Sequence, residues 1–483
     1  MRLLVLLLAL TATRIALAQQ LTLRHDLAGP ALDALATLVV KFNDAQKGKA
    51  GIRLQSLPPE AERGELPDLA LLDIADAKAF FGKAPRYKPL HLVMREGREK
   101  FDPRALLPQV ADAVDDADGR VQALPLGLSL PVLYLNKAML RKAGVDPELP
   151  PRTWADLQVV AGKLNDAKVA CPLTSSHFTW VHVENLASQH DQPIVNRTRK
   201  GEQVVANSMV NVKHLAMLAS WQKSRYFDYS GGGNGGDRRF LSGECAMLTS
   251  DSSLYAEALR RGIETGIHAL PHYDDVYGVK PDDVLPDGIS LWVLDGVKGK
   301  ELQVSARFIR FLMLAENQRE WVRATTFLPM TADAIIALRE AQVYPAPMLD
   351  AALKRLGASS RGSTRPHPVL AREKLRAIFG EEVLPVWTDN RPAKQALDLT
   401  VERANAPEPA PPRPAPKSVA EGKPSATKPV TKPVTKPDPK SATKPVPKAV
   451  TKPAAKEVAK PTVNPAPKPV AATPPAPMPP KGG

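Results

Sequence analysis

The sequence predicts an α/β fold of two domains, followed by a long tail that forms no core. Between residues 19 and 405, short apolar strand segments alternate with amphipathic helical segments, which is the pattern of α/β proteins. That stretch is long enough for two domains. After residue 405 the composition changes to 23 prolines in 78 residues with no aromatic residue. Such a composition cannot bury a core, so we expect residues 406–483 to be disordered.

The first elements are indicated by their hydrophobic periodicity. Residues 21–24 alternate as a strand does, and Leu32, Leu35, Val39 and Phe42 then recur at helical spacing. Residues 52–57 predict a second strand. The short apolar run 69–72 is typical of a parallel strand that is covered on both faces.

Later elements are marked by their start and stop signals. A helix over 137–143 ends before Gly144. Thr153 and Asp156 resemble a capping box that opens the next helix, with Trp154 packed beneath it. Residues 290–294 predict a buried strand, and residues 301–324 predict one long helix.

Residues 1–18 have the features of a cleaved signal peptide. Arg2 precedes the apolar run 3–10, and a small-residue site at 16–18 precedes Gln19. The run is too short to span a bilayer, and no cysteine follows the site, so we expect no lipid anchor. These features predict an exported, soluble protein of a Gram-negative periplasm.

The net charge of +14 is concentrated outside the domains. The tail carries +10 and residues 1–18 carry +2, which leaves +2 for residues 19–405. A nearly neutral globular part does not indicate a nucleic-acid partner. In the tail, lysines recur every fourth residue from 428 to 460, most of them before a proline. Because proline forbids a stable helix, we expect an extended arm, which is either a cationic tether to anionic envelope polymers or a plain spacer.

Signatures of catalysis and of cofactor binding are missing from the sequence. There is no G-x-S-x-G and no H-E-x-x-H, and the glycines of 231–236 lack the Lys-Ser/Thr of a phosphate loop. We therefore expect no enzyme, no cofactor and no metal site, and we interpret 231–236 as a surface loop. Cys171 and Cys245 are either a disulfide, as an oxidising compartment would allow, or two buried thiols.

Five ordered motifs between residues 131 and 403 resemble those of family 1 extracellular solute-binding proteins. They are P-V-L-Y-L-N-K with its following helix and P-P-R-T-W start at 131–160, F-L-S-G-E-C-A-M at 240–247, G-I-S-L-W-V at 288–293, E-N through F-L-P-M-T at 316–331, and the closing helix at 386–403. The last one resembles the glycerol-3-phosphate-binding members of the family.

The resemblance implies a two-lobed, hinge-bending fold of type II. It assigns 19–128 with 288–330 to an N-terminal lobe and 129–287 with 331–405 to a C-terminal lobe, with a hinge near 126–130. It also implies a monomer whose lobes close over a small molecule before docking on an inner-membrane ABC permease.

The resemblance further implies which residues bind the ligand. Arg365 is the expected phosphate clamp, with Arg361 as its competitor, because an arginine fork can bond two phosphate oxygens at once. The other implied ligand-binding residues are Asp73, Ser129, Trp180, Ser252 or Ser253, Gly288 and Tyr344.

Two departures from the family pattern bear on the ligand. The family has two tryptophans spaced three apart, and this chain has His177 in place of the first and Trp180 as the second. Residues 58–66 are also about a helix shorter, so one ligand-contacting tyrosine has no counterpart. The expected ligand is sn-glycerol-3-phosphate or a glycerophosphodiester, with a neutral sugar as the alternative.

Overall fold

The computed structural model describes residues 19–57, 66–73, 86–116, 118–198, 201–275, 283–342 and 369–407. The predicted signal peptide and residues 408–483 of the predicted tail lie outside the described residues. Among the described residues, no helix combines the length and the apolar character that crossing a membrane requires.

The described strands, in chain order, are β1 Gln19–His25, β2 Ala50–Ser56, β3 Leu69–Asp73, β4 Tyr87–Lys88, β5 Leu124–Ser129, β6 Pro131–Asn136, β7 Cys171–Ser175, β8 Val195–Thr198, β9 Gly201–Val204, β10 Phe227–Asp228, β11 Cys245–Asp251, β12 Thr265–Ala269 and β13 Asp287–Leu294.

The described α-helices are α1 Gly29–Ala45, α2 Leu90–Glu96, α3 Pro108–Asp112, α4 Lys137–Lys142, α5 Trp154–Asp166, α6 Leu186–Gln189, α7 Met209–Lys223, α8 Gly235–Leu241, α9 Leu254–Arg260, α10 Gly299–Leu312, α11 Ala315–Thr325, α12 Ala332–Ala341, α13 Val369–Trp387 and α14 Ala393–Asn405. A short 3-10 helix spans Pro103–Ala105, and a π-helical segment spans Trp180–Asn185.

Two mixed sheets organise these elements. The first has the order β2-β1-β3-β13-β4, with β5 also paired to β13, and the second has the order β10-β7-β11-β6-β12. Strands β1, β2 and β3 are parallel to one another, and β13 returns antiparallel to β3. Because β5 belongs to the first sheet and β6 to the second, the chain passes from one lobe to the other at Leu130.

The two sheets define the lobes, and two cores of buried apolar residues pack against them, the first including residues of both sheets, such as Leu71 and Tyr134. In the first, Phe42 on α1 meets Phe308 on α10 edge to face, with ring centroids 5.0 Å apart. In the second, Trp154 and Phe178 are fully buried and Trp387 stacks on Tyr229. This arrangement confirms the predicted two-lobed α/β fold.

The last helices are divided between the two cores. Ala334 and Leu338 of α12 are fully buried, and Leu338 belongs to the first core. Helices α13 and α14 pack in the second core, through residues such as Phe379 and Leu397. The predicted assignment of residues 331–405 to the second lobe stays a prediction.

The predicted long helix over 301–324 is wrong, because the structure has two helices there. Leu314 leaves the helical conformation between α10 and α11. The side-chain amides of Asn317 and Gln318 donate to the carbonyl oxygens of Phe311 and Met313, at 2.7 and 2.8 Å. These bonds satisfy carbonyl groups that the end of a helix leaves without partners.

The structure confirms the predicted capping box, decides between the two alternatives for the cysteines, and corrects the predicted loop at 231–236. The Thr153 hydroxyl accepts from the Asp156 amide, and the Asp156 carboxylate accepts from the Thr153 amide, both at 3.0 Å, which makes a capping box. Cys171 and Cys245 form a disulfide between the starts of β7 and β11. The glycine-rich run is only partly a loop, since Gly235 and Gly236 begin α8.

Candidate functional site

Three of the predicted ligand-binding residues lie at one edge of the first sheet. Asp73 ends β3 and is paired with Ile289 of β13, and Ser129 ends β5 and is paired with Asp287. Gly288 lies between these two pairs. The Ser129 hydroxyl is buried and donates to the carbonyl oxygen of Asp287 at 3.3 Å. This edge is where the chain crosses to the second lobe.

Ser252 and Ser253 follow β11 at the same crossing. Ser252 is fully buried, its hydroxyl accepts from the Leu130 amide at 3.1 Å, and its own amide donates to the Leu130 carbonyl oxygen at 2.9 Å. Ser252 therefore holds the hinge peptide. Ser253 is half-buried, and its carbonyl oxygen accepts from the Thr326 hydroxyl of the first lobe at 2.9 Å.

Trp180 ties the second crossing segment to the second lobe. Its indole nitrogen donates to the Leu285 carbonyl oxygen at 3.0 Å, and the Asn185 side chain accepts from the Leu285 amide at 2.7 Å. Only 3% of Trp180 is exposed. Trp180 therefore supports the segment that leads into β13. The ligand contact predicted for Trp180 stays a prediction.

Gly288 is required by the backbone around it. Its φ is +140°, and a Cβ there would lie 2.1 Å from the carbonyl oxygen of Gly127. Its amide donates to the Asp287 carboxylate at 2.9 Å. A side chain at this position would push β13 away from β5 at the hinge.

Arg376 on α13 forms an ion pair with Asp287, the first residue of β13. Its guanidinium bonds the Glu184 carboxylate through two nitrogens, at 2.6 and 3.0 Å, and lies 2.5 Å from an Asp287 oxygen. Glu184 is fully buried. Burial lowers the pKa of Arg376, but Asp287, Glu184 and Asp73 outweigh that effect and raise the pKa above its usual range. This cation is already neutralised by the protein.

A second charged group lies on the second-lobe side of the crossing. His177 Nε2 is 3.4 Å from Asp251 Oδ2, with Asp237 beside them. Burial lowers the pKa of His177, but Asp251, Asp237 and Asp73 outweigh that effect and raise it to about 9. Asp73, which ends β3 in the first sheet, is among the charges that raise the pKa values of both His177 and Arg376.

The gathered groups are suited to binding a small polar molecule. Carboxylates at Asp73 and Asp237 can accept from hydroxyls, and the His177 imidazolium, with 41% of its side chain exposed, can donate to an anion. The predicted Tyr344, Arg365 and Arg361 lie outside the described residues.

Several residues at the crossing were not predicted to have a role there. Glu184 belongs to the Glu-Asn pair that follows Trp180 in the family pattern, which gave no indication of an ion pair. Asp287 and Arg376 carry no recognisable motif, and only folding brings Arg376 to its partners, 192 residues from Glu184. Asp251 had a weak signal, since it directly precedes the predicted Ser252. Asp237 directly follows the glycine-rich run.

The chain is similar to known proteins over most of its length. Residues 44–345 match the family described as bacterial extracellular solute-binding protein. The sn-glycerol-3-phosphate-binding periplasmic protein UgpB of Salmonella typhimurium is 31% identical over 428 residues, covering 80% of this chain and 97% of the relative.

Solved structures agree on the fold. UgpB of Mycobacterium tuberculosis in complex with glycerophosphocholine matches with a TM-score of 0.62 and 15% identity, covering 80% of this chain and 98% of that one. The ABC substrate-binding protein of Listeria monocytogenes in complex with cycloalternan matches with a TM-score of 0.64 and 20% identity, covering 80% and 98%.

Proposed function

Because this chain belongs to the bacterial extracellular solute-binding proteins, we propose that it binds sn-glycerol-3-phosphate or a glycerophosphodiester between its two lobes. It is a periplasmic solute-binding protein of the ABC type, so its working partners are a small molecule and a permease. The observation that carries the ligand assignment is the 31% identity to a glycerol-3-phosphate-binding protein across 97% of that relative. Residues 1–18 would direct export and be removed.

The groups at the crossing support a ligand that combines hydroxyls with an anionic group. Asp73 offers an acceptor for glycerol hydroxyls, and His177, with 41% of its side chain exposed, offers a positive charge. Arg376 is saturated by Glu184 and Asp287. The principal phosphate clamp is therefore assigned to Arg365, with Arg361 as its competitor.

A neutral sugar is the second candidate. Carboxylates that accept from hydroxyls suit a sugar, and Asp73, Asp237 and Asp251 outnumber the exposed cation His177 in the described part of the site. The neighbour from Listeria, which is described with a cycloalternan, has the same fold. An envelope-tethered structural or sensory protein that works through its cationic tail is a third, more distant candidate.

Calorimetric titration of residues 19–407 separates these candidates. We expect saturable 1:1 heat with sn-glycerol-3-phosphate or glycerophosphocholine, and none with maltose. Heat with maltose and none with either phosphate compound would transfer the proposal to the neutral sugar. No binding heat with any of the three compounds would reject both proposed ligands.

Arg365→Ala tests the phosphate clamp. Removing a charged partner from a bound phosphate is expected to weaken binding by about 2–5 kcal/mol. Arg361→Ala is the matched comparison, and a loss found there instead would move the clamp to residue 361. Unchanged affinity in both variants would reject the clamp at either arginine.

A further inference from the structure

Three metal-ligating side chains from separate elements meet at the crossing. His177 follows β7, Asp237 lies on α8 and Asp251 ends β11. Their ligand atoms all lie within 4.8 Å of one another. The sequence alone predicts no metal site, since these residues are 14 to 74 positions apart and form no spaced motif.

In both carboxylates, hydrogen bonds from neighbouring residues fix the Oδ1 atom. Asp237 Oδ1 accepts from the Ser250 hydroxyl at 2.7 Å, and the Asp237 amide donates to the Ser176 hydroxyl at 2.8 Å. Asp251 Oδ1 accepts from the Ser253 amide at 2.8 Å and from the Ser253 hydroxyl. Outer hydrogen bonds of this kind orient the ligands of metal sites.

The Asp237 carboxyl is mostly buried, since only 8% of the residue is exposed, and its Oδ1 accepts from the Ser250 hydroxyl. Taking a carboxylate out of water is costly unless a positive charge compensates it. A bound cation would supply that charge to Asp237 and Asp251 together.

His177 is held in a strained conformation that faces these carboxylates. Its φ is +49°, in the left-handed region that residues other than glycine rarely adopt. The His177 amide donates to the Gly233 carbonyl oxygen at 2.9 Å, which fixes the turn. Strain of this kind persists where the surrounding structure enforces it, commonly at functional sites.

The charges also favour a divalent ion. An imidazolium beside two carboxylates leaves one net negative charge in a mostly buried cluster. A divalent ion bound by a neutral imidazole and two carboxylates leaves none, and the displaced imidazolium proton passes to the solvent. An imidazole nitrogen with two carboxylate oxygens suits Zn²⁺ better than Mg²⁺ or Ca²⁺, which prefer oxygen ligands alone.

We propose that His177, Asp237 and Asp251 bind a divalent transition-metal ion, with Zn²⁺ as the best match. Three protein ligands leave one position of a tetrahedral site open. On the assumption that the proposed function is correct, that position takes a phosphate or hydroxyl oxygen of the bound molecule. The ion would then supply the positive charge that Arg376, paired with Glu184 and Asp287, does not.

The test begins with the metal alone. Untagged chain from residue 19 to 483 is freed of metal with a chelator and titrated with ZnCl₂, with MgCl₂ and CaCl₂ as comparators. We expect 1:1 binding of Zn²⁺ that Asp237→Asn and His177→Ala each weaken at least about tenfold. His91→Gln, which removes a histidine of the first lobe, is the control and should bind normally.

Asp237→Asn has nearly the same shape as the native residue, and its fold is checked by circular dichroism. Co²⁺ absorption gives a second readout, since the visible bands should disappear in His177→Ala. Absence of Zn²⁺ binding, or binding that both variants leave intact, would overturn the proposal.

A second titration separates the metal from the organic ligand. sn-Glycerol-3-phosphate is added with chelator and then with Zn²⁺, and affinity is expected to rise with the ion, as reciprocal coupling requires. Zn²⁺ binding with no effect on the phosphate would keep the metal site and reject its role in ligand recognition. Zn²⁺ binding with no phosphate binding under either condition would reject the proposed function and leave the metal site standing.

Discussion

Arg376 is the residue on which the charge balance of the crossing depends. It neutralises Glu184, which is fully buried, and Asp287, which is 7% exposed, while 21% of its own side chain is exposed. Removing one member of a buried ion pair leaves the others without compensation. Arg376 therefore has a structural role that is separate from any contact with the ligand.

Arg376→Ala is expected to lower the free energy of unfolding by about 3–5 kcal/mol, because two buried carboxylates lose their cation. Urea unfolding measures the change. Arg310→Ala is the control: Arg310 pairs with Glu99 at 3.2 Å but is 52% exposed, so its loss should cost under about 1 kcal/mol. Equal costs for the two variants would contradict the compensating role.

Two buried histidines on the second lobe form a hydrogen-bonded chain. His182 Nδ1 and His214 Nε2 are 2.9 Å apart, and His214 Nδ1 is 2.9 Å from the Tyr273 hydroxyl. Burial lowers the pKa of His182 to about 3. Burial, with the charges of His182, His190 and Lys213, lowers the pKa of His214 well below its usual value. Both rings are therefore neutral in the folded protein.

The free energy of unfolding should fall as the pH drops below about 6.5, since the unfolded chain then binds protons that the folded chain excludes. The expected slope is about 1.4 kcal/mol per pH unit for each histidine, down to about pH 3 for His182. His214→Gln removes one titrating group, so urea unfolding between pH 7 and 4 should give a shallower slope. His91→Gln is the reference variant. If His214→Gln leaves the slope of the free energy of unfolding against pH unchanged, His214 does not cause the loss of stability at low pH.

At the scale of helices and strands, sequence patterns predict the features that depend on residues close together in the sequence. The capping box at Thr153 and Asp156 depends on residues three apart, and it forms as predicted. The break between α10 and α11 depends on amides that reach back five and six residues to carbonyl oxygens, for which apolar periodicity gives no signal. The approach of Arg376 to Glu184 depends on the whole fold.

Gly288 shows how a backbone element constrains the hinge. Gly288→Ala is expected to lower the free energy of unfolding by about 2–4 kcal/mol, because it adds both positive-φ strain and a clash with the Gly127 carbonyl oxygen. Gly296→Ala is the matched control, since a Cβ there meets no atom within 4 Å. Urea unfolding measures the free energy of unfolding of both variants. An unchanged free energy in Gly288→Ala would mean that β13 can move away from β5 without a loss of stability.

At the scale of the whole molecule, the resemblance predicted the two lobes, and the two mixed sheets confirm them. The predicted bounds of the lobes stay a prediction. Sequence alone does not determine how the last helices pack, because Leu338 belongs to the first core and Phe379 to the second.

The tail, residues 406–483, should act independently of the lobes. It carries a net charge of +10 while residues 19–405 carry +2, so electrostatic attraction to an anionic polymer should depend on the tail almost alone. We expect purified peptidoglycan to retain the chain 19–483 and to release 19–407, with equal ligand affinity in both.

The matched control for the tail keeps its prolines and its length. Replacing the nine lysines at positions 428–460 with glutamine removes their charge and leaves the prolines and the length of the tail unchanged. Retention should fall to the level of the truncated chain, and in the native chain it should fade as salt rises, because the screening length is about 8 Å at 0.15 M. If peptidoglycan retains the glutamine variant as strongly as the native chain, the charge of the lysines is not the cause of retention. If 19–407 is retained equally, the tail is a spacer, and the only function left to propose for this molecule is the one between its lobes.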